Sequence, residues 1–356
     1  MAVERAVTEN NNLPILKNVL LKVDSKVTIS ATNLELGVTQ TTAGKVTENG
    51  SITVPFGTLY SIINNSDSER INLSAENNTL TVKTDNYEAK IQGTTSEEFP
   101  IIPKIEDRAH SIEINSETLR EAVNEIISAV QISELKPELN GVLFDFQVGV
   151  LKLVATDGFR LAEKTLLSNA FRTNITKGVR VIIPLKTIQE VVRVFPKNTD
   201  ISICIDSHQI FFGTEHLELI SRLINGTYPD YAQIVPKSVE HELTVEKNNL
   251  ITGIKLVSSF SGKTSDIKMR LKKDSKALEI YANNQYIGEN NYLIPVKKKK
   301  EGGFDEIAFN WRYLMDGVKP MASEQVTIGV TNGTKPAIIR PAGDDSLFYI
   351  VMPIQS

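Results

Sequence analysis

Apolar and polar residues along this chain alternate in short runs bounded by turn-forming residues, and between these runs lie a few stretches with helical spacing. Leu151, Leu153 and Ala155 alternate with Lys152 and Val154, and the run stops at Asp157-Gly158. Such alternation ended by a turn pair predicts a strand with one buried face. Gly158 supplies the turn with a residue that has no side chain to crowd it. Similar short strands are predicted at 51–54, 80–83, 201–205 and 326–330. Elsewhere the period lengthens. Leu119, Ala122, Val123 and Ile126 share one face of a helix predicted over 118–130, with a counterpart over 249–260. Further amphipathic helices follow Pro55 (Leu59, Ile62, Ile63), Pro184 (Ile188, Val191, Val192) and Asn310 (Leu314, Val318), where Pro or Asn marks the helix start.

These marks recur at domain length. Ala31-Thr32-Asn33 precedes Ala155-Thr156-Asp157 by 124 residues, and Ala282-Asn283-Asn284 follows by 127. The helix starts at Pro55, Pro184 and Asn310 are spaced 129 and 126 apart, and Phe99-Pro100, Tyr228-Pro229 and Tyr349 to Ile354 close successive copies. Three copies of one α+β unit are therefore expected, at 1–109, 110–238 and 239–356, each with helices packed on antiparallel sheet. At a spacing of 123, Ala6-Val7 aligns with Ala129-Val130, which sets Met1 opposite Asn124 in mid-helix. The first copy thus lacks the strand and half-helix that 111–123 supply to the second. Either that domain is trimmed or the start codon is mis-assigned. The second alternative predicts a native mass above that of this chain.

Composition narrows the class. With 41% hydrophobic and 23% charged residues over 356 positions, the chain reads as an ordinary globular protein of more than one domain. No apolar run is long enough to span a bilayer and no signal peptide opens the sequence, so a membrane role is not expected. The single cysteine, Cys204, lies in the apolar run 201–205 and excludes an internal disulfide framework. A reducing, cytoplasmic setting follows. The net charge of -4 argues against a simple cationic nucleic-acid binder, though not against an acidic exterior around a basic interior.

Four stretches in order carry a resemblance. Leu13-Pro14-Ile15-Leu16-Lys17-Asn18-Val19-Leu20, Thr156-Asp157-Gly158-Phe159-Arg160-Leu161-Ala162, Tyr228-Pro229-Asp230-Tyr231 and Tyr349-Ile350-Val351-Met352-Pro353-Ile354 resemble the bacterial DNA polymerase III beta subunit, the replicative sliding-clamp family. The resemblance implies three clamp domains per chain and a head-to-tail homodimeric ring around duplex DNA, with helices lining the hole and sheets outside. The implied partners are the replicative polymerase catalytic subunit, the clamp loader and repair polymerases. It implies no catalysis, no cofactor and no metal.

By the same resemblance Thr156, Gly158, Phe159, Arg160 and Leu161 line a groove in which partner peptides dock. Leu139, Pro229, Gln233 and Ile234 complete it, with Ile350, Val351, Met352, Pro353 and Ile354 from the chain end. Asn310 and Tyr313 stand at its edge. An apolar groove with few polar groups suits short-peptide recognition. Two positions depart from the family: Phe159 stands where His is common, and Gln233 where a basic residue is common. Altered preference for the residues flanking the peptide is expected from these changes.

Duplex DNA held without sequence preference needs sparse cations that meet phosphates. Arg120 lies on a helix of the second copy, and Lys186 and Arg193, seven apart, share a face of another. The resemblance places Lys186 and Arg193 in the hole and Lys136 in a loop at the ring face. In the first copy, Asn10, Asn11 and Phe56-Gly57 stand where basic residues are often found, so DNA contact there is expected to be weak. Ile91 and Phe260 are implied at the ring interface.

Enzymatic readings find little support. Gly262-Lys263-Thr264 matches only the end of a phosphate-binding loop, since Val257 replaces its first Gly. The four histidines, His110, His208, His216 and His241, lack ligand spacing, and Lys297 to Lys300 reads as a solvated loop. A hydrolase with scattered carboxylates and a peptide-binding scaffold that never encircles DNA are the alternatives.

Overall fold

The computed structural model describes residues 1–8, 13–105, 111–273, 275–299 and 302–355. Asn10, Asn11, His110, Lys300 and the expected 109/110 boundary lie outside the described residues. The chain forms two compact units. One holds Met1–Glu117, Phe171–Ile175 and Lys186–Leu223, and the other holds Thr118–Ala170, Thr176–Leu185 and Ile224–Ser356.

The first unit contains a nine-stranded sheet in the order Phe171–Thr173, Ser111–Asn115, Asp200–Ile205, Gln209–Gly213, Leu217–Arg222, Leu36–Thr42, Val27–Thr32, Asn18–Val23, Gly50–Pro55. A separate three-stranded sheet runs Asn72–Glu76, Thr79–Lys83, Glu88–Gln92. At the centre of the large sheet, strands from the first and second repeats pair antiparallel, with Leu36 opposite Ser221.

The second unit repeats this device. Its nine strands are Val179–Pro184, Gly141–Gln147, Val150–Thr156, Arg160–Leu167, Leu347–Val351, Ala337–Pro341, Gln325–Val330, His241–Glu246 and Lys297–Lys298. Arg160 lies opposite Val351, which joins strands of the second and third repeats. A four-stranded sheet, Gly288–Pro295, Ala277–Asn284, Asp266–Leu271, Phe304–Asn310, completes this unit. Each large sheet therefore draws on two successive repeats.

The strands form where alternation and turn chemistry coincide. Asn33 Oδ1 accepts from the backbone N–H of Glu35 and Leu36, Asp157 Oδ1 from Phe159 and Arg160, and Asn284 Oδ1 from Tyr286. A short side-chain acceptor that mimics a backbone turn explains why Asn or Asp recurs at this position.

Several expectations need adjustment. Val154 was assigned to the outer, polar side of its strand, but it is fully buried because Tyr228 and Tyr231 pack over that face. The helix expected over 118–130 runs Ser116–Ile126 and then tightens into a 3-10 turn, Ile127–Ala129. The counterpart expected over 249–260 is Lys247–Ser258. Pro55 ends its strand and caps helix Phe56–Asn64, with its φ already near the helical value. Tyr349 lies inside a strand, so it is no counterpart of Phe99 and Tyr228, which follow one. Apart from 3-10 turns at Ala2–Ala6, Pro14–Lys17 and Ser96–Glu98, the described part of the first repeat holds one α-helix, Phe56–Asn64.

Candidate functional site

Strand Val150–Thr156 ends in a turn that its own side chains tie shut. Thr156 Oγ1 donates to the carbonyl of Arg160 at 2.6 Å and accepts from Gly158 N–H, and Asp157 Oδ1 takes the N–H groups of Phe159 and Arg160. Gly158 sits at φ +90, a conformation that L side chains rarely adopt. The turn therefore pushes Phe159 out, and its side chain is 62% exposed.

Arg160 turns the other way. Its Nε donates to Asp157 Oδ2 at 3.0 Å, its Nη1 to Asp316 Oδ2, and its guanidinium carbon lies 4.4 Å from the centre of the Tyr313 ring. Burial disfavours the guanidinium charge, but Tyr349, Asp316 and Asp157 around it more than compensate and hold it charged. The residue is only 9% exposed. Tyr349 Oη, close enough to feel that charge, is buried without a hydrogen-bond partner of good geometry, and burial pushes its phenol well above the usual range.

Two further segments frame the turn. In the linker, Tyr228 donates to the carbonyl of Val154 at 3.4 Å and Tyr231 packs beside it. They join Leu139, Leu161, Ile338 and Ile350 in one buried cluster. Burial raises the phenol pKa values of both tyrosines. Pro229, Gln233 and Ile234 stay exposed on the same linker, and Gln233 Nε2 donates to Asp230 Oδ2. At the chain end, Met352 N–H donates to the carbonyl of Phe159 at 2.8 Å and Ile354 N–H to that of Ala308 at 2.8 Å. The tail is thereby strapped across the turn, with Met352 and Ile354 half-buried and Pro353 buried. Asn310 caps helix Trp311–Val318 by accepting from Arg312 N–H, one turn before Tyr313.

The structure thus brings the turn, the linker, the tail and one helix of a single unit together. Leu139, Leu161, Ile350 and Val351 form the floor and are buried. Phe159, Pro229, Ile234 and Met352 supply the accessible apolar surface. Of two cavities of about 680 and 310 Å³, the smaller is lined by Tyr231 and Ala232 of the linker, and neither is lined by Phe159, Pro229, Ile234 or Met352. Asp316, Tyr228 and Tyr231 were absent from the sequence assignment. Asp316 had a local signal in following Tyr313 on one helix face, and the two tyrosines in belonging to the Tyr228-Pro229-Asp230-Tyr231 stretch.

The basic residues differ in availability. Lys136 and Lys186 are exposed, and Arg120 is half-buried. Arg193 is exposed but donates to Glu190 through Nε at 2.8 Å and Nη2 at 2.6 Å. Of the interface assignments, Ile91 is buried within its own unit, while Phe260 is half-buried beside Gly288. Among the described residues, no group of three or more His, Cys, Asp or Glu side chains is placed to hold a metal, and no helix is long and apolar enough to cross a membrane.

Comparison with known proteins gives consistent matches. The family described as DNA polymerase III beta subunit matches with its N-terminal domain over residues 1–103, its central domain over 113–230 and its C-terminal domain over 232–355. The beta sliding clamp of Synechococcus elongatus is 28% identical, covering 99% of this chain and 95% of that protein. The Staphylococcus aureus beta sliding clamp is 27% identical with the same coverage. The crystal structure of the Pseudomonas aeruginosa sliding clamp bound to griselimycin superposes with a TM-score of 0.93 at 26% identity, covering 100% of this chain and 95% of that one.

Proposed function

Because the chain belongs to the DNA polymerase III beta-subunit family and is a DNA sliding clamp, a non-catalytic processivity subunit, we propose that it encircles duplex DNA as a head-to-tail homodimer and docks partner peptides in the groove beside Phe159. The groove's partners on this reading are the replicative polymerase catalytic subunit, the clamp loader and repair polymerases, acting in the cytoplasm. The three domains are 1–109, 110–238 and 239–356. Arg120, Lys136, Lys186 and Arg193 meet phosphates, without base contacts that would fix register.

The observation that carries the docking reading is that the turn, the linker and the tail present apolar side chains, exposed at Phe159, Pro229 and Ile234 and half-buried at Met352, beside the buried cluster that includes Leu139 and Leu161. Loss of affinity for labelled peptides tiling the replicative polymerase catalytic subunit on Met352→Ala tests it. Equal affinities of wild type and variant remove the groove assignment.

Ring closure is supported by symmetry within the chain. Each established junction pairs the residue three after an Asn/Asp turn with the residue seven after a hairpin turn. Leu36, after Asn33, faces Ser221, after Thr214; Arg160, after Asp157, faces Val351, after Asp344. The positions left over are Ile287, after Asn284, and Ile91, after Thr84, on strands Gly288–Pro295 and Glu88–Gln92 or next to them. Both strands are sheet edges, and Ile287 and Tyr286 are 56% and 95% exposed. In the ring, these edges pair antiparallel between two copies with Ile287 opposite Ile91. Retention on circular DNA after loading, with loss on linearisation, checks encirclement. Equal retention on both forms would favour a surface-binding scaffold.

A further inference from the structure

Asp316 joins three walls of the groove. Its carboxylate takes Nη1 of Arg160, and its backbone carbonyl accepts from Ser128 Oγ at 3.0 Å. It also lies one residue short of a helical turn beyond Tyr313, whose ring lies against the Arg160 guanidinium. Ser128 belongs to the 3-10 turn Ile127–Ala129, which leads into the loop that carries Leu139. Arg160 passes the connection on to Asp157, inside the turn that bears Phe159.

Beyond the Met352 N–H to Phe159 carbonyl bond that ties it to the tail, that turn has no packed side chain at its tip. A Cβ placed on Gly158 would meet nothing within 4 Å, and Phe159 is exposed. Its internal hydrogen bonds fix its shape, and the Asp157–Arg160–Asp316 bridge fixes its position against the helix. A wall free to wander would have to be immobilised on every docking event, at a cost in affinity.

We propose that Asp316 is a positioning residue for peptide docking: acting through Arg160, it holds the Thr156–Arg160 turn against helix Trp311–Val318 and sets the width of the groove. The proposal rests on the groove being the docking site. It also assigns Arg160 a role beyond contact with the peptide, because two carboxylates and an aromatic face already surround its guanidinium.

The test uses the full chain and the tightest-binding fluorescein-labelled peptide from a set tiling the replicative polymerase catalytic subunit. Met352→Ala comes first, and binding equal to wild type would fail the docking reading and this proposal together. With that loss established, Asp316→Asn is expected to weaken binding roughly tenfold, about 1.4 kcal/mol. Asp316→Glu is expected to recover most of it. The combination of Asp316→Asn with Arg160→Ala should bind no worse than Arg160→Ala alone, since one bridge carries both effects. Should Arg160→Ala fail to fold, Arg160→Lys takes its place in the cycle. Unchanged affinity in Asp316→Asn, or losses that add in the double variant, would overturn the positioning role while leaving the groove assignment intact.

Discussion

Gly317 lies directly beneath the ring of Tyr349: a Cβ at this position would stand 2.4 Å from Cδ1 and 2.5 Å from Cε1. The helix that carries Tyr313 and Asp316 therefore rests on strand Leu347–Val351 at a distance only glycine permits. Tyr349 is 1% exposed and cannot swing aside. Gly317→Ala gains up to about 1 kcal/mol of helix propensity, but the overpacking costs about 1–3 kcal/mol. Net destabilisation is expected, read as a lower urea midpoint, together with weaker peptide binding as the helix is displaced.

Three buried phenols set an alkaline limit. Desolvation raises Tyr228, Tyr231 and Tyr349 above the ordinary 10.0. A raised folded-state pKa means that the native chain holds these protons more tightly than the unfolded chain. Their contribution is thus fully present below pH 10 and is lost as pH climbs from there towards the folded values. Titration followed by tyrosinate absorbance and circular dichroism should show these phenols ionising only as secondary structure is lost. Ionisation of all nine tyrosines before any loss of structure would contradict this.

Glu190 limits what Arg193 offers to phosphate. The pair is an i, i+3 bridge on helix Leu185–Val194. Glu190→Gln should release the cation, strengthen DNA binding at low salt and steepen the dependence of log K on log salt by about one. An unchanged slope would show that Arg193 does not reach a phosphate.

Ile287→Glu places a charge opposite Ile91 in the proposed junction. Sedimentation at micromolar concentration should report a monomer, with the folded circular-dichroism spectrum of the chain retained. A dimer that survives this substitution would refute the pairing.

Phe159→Ala tests the departure from the family at that position. With most of its ring in solvent, the change should leave stability nearly unaltered and weaken peptide binding several-fold, about 1 kcal/mol. Equal affinity would take Phe159 out of the groove.

The parts of this fold that were legible in the sequence are those governed by neighbours in the chain. The Asn33, Asp157 and Asn284 turns could be read because side chains local to each turn help close it. Helix Trp311–Val318 could be read because Asn310 caps it and Leu314 and Val318 share its inner face. The pairing of Leu36–Thr42 with Leu217–Arg222 could not, since period-two alternation says which face is buried and nothing about the partner. Val154 was misplaced for the same reason: its burial comes from Tyr228 and Tyr231, far along the chain. At the proposed groove, the resemblance supplied the candidate side chains, but the partners that orient Arg160 came only from the structure.

The middle repeat has no sheet of its own, since its strands Arg160–Leu167 and Leu217–Arg222 are completed by Leu347–Val351 and Leu36–Thr42. A fragment holding only that repeat would carry two unsatisfied edges that match one another. Such a fragment is a monomer unit for open-ended polymerisation: head-to-tail addition continues into a fibre unless the rotation per step closes it. Covalent linkage to the first and third repeats satisfies both of those edges within one chain, so neither is left open to such growth.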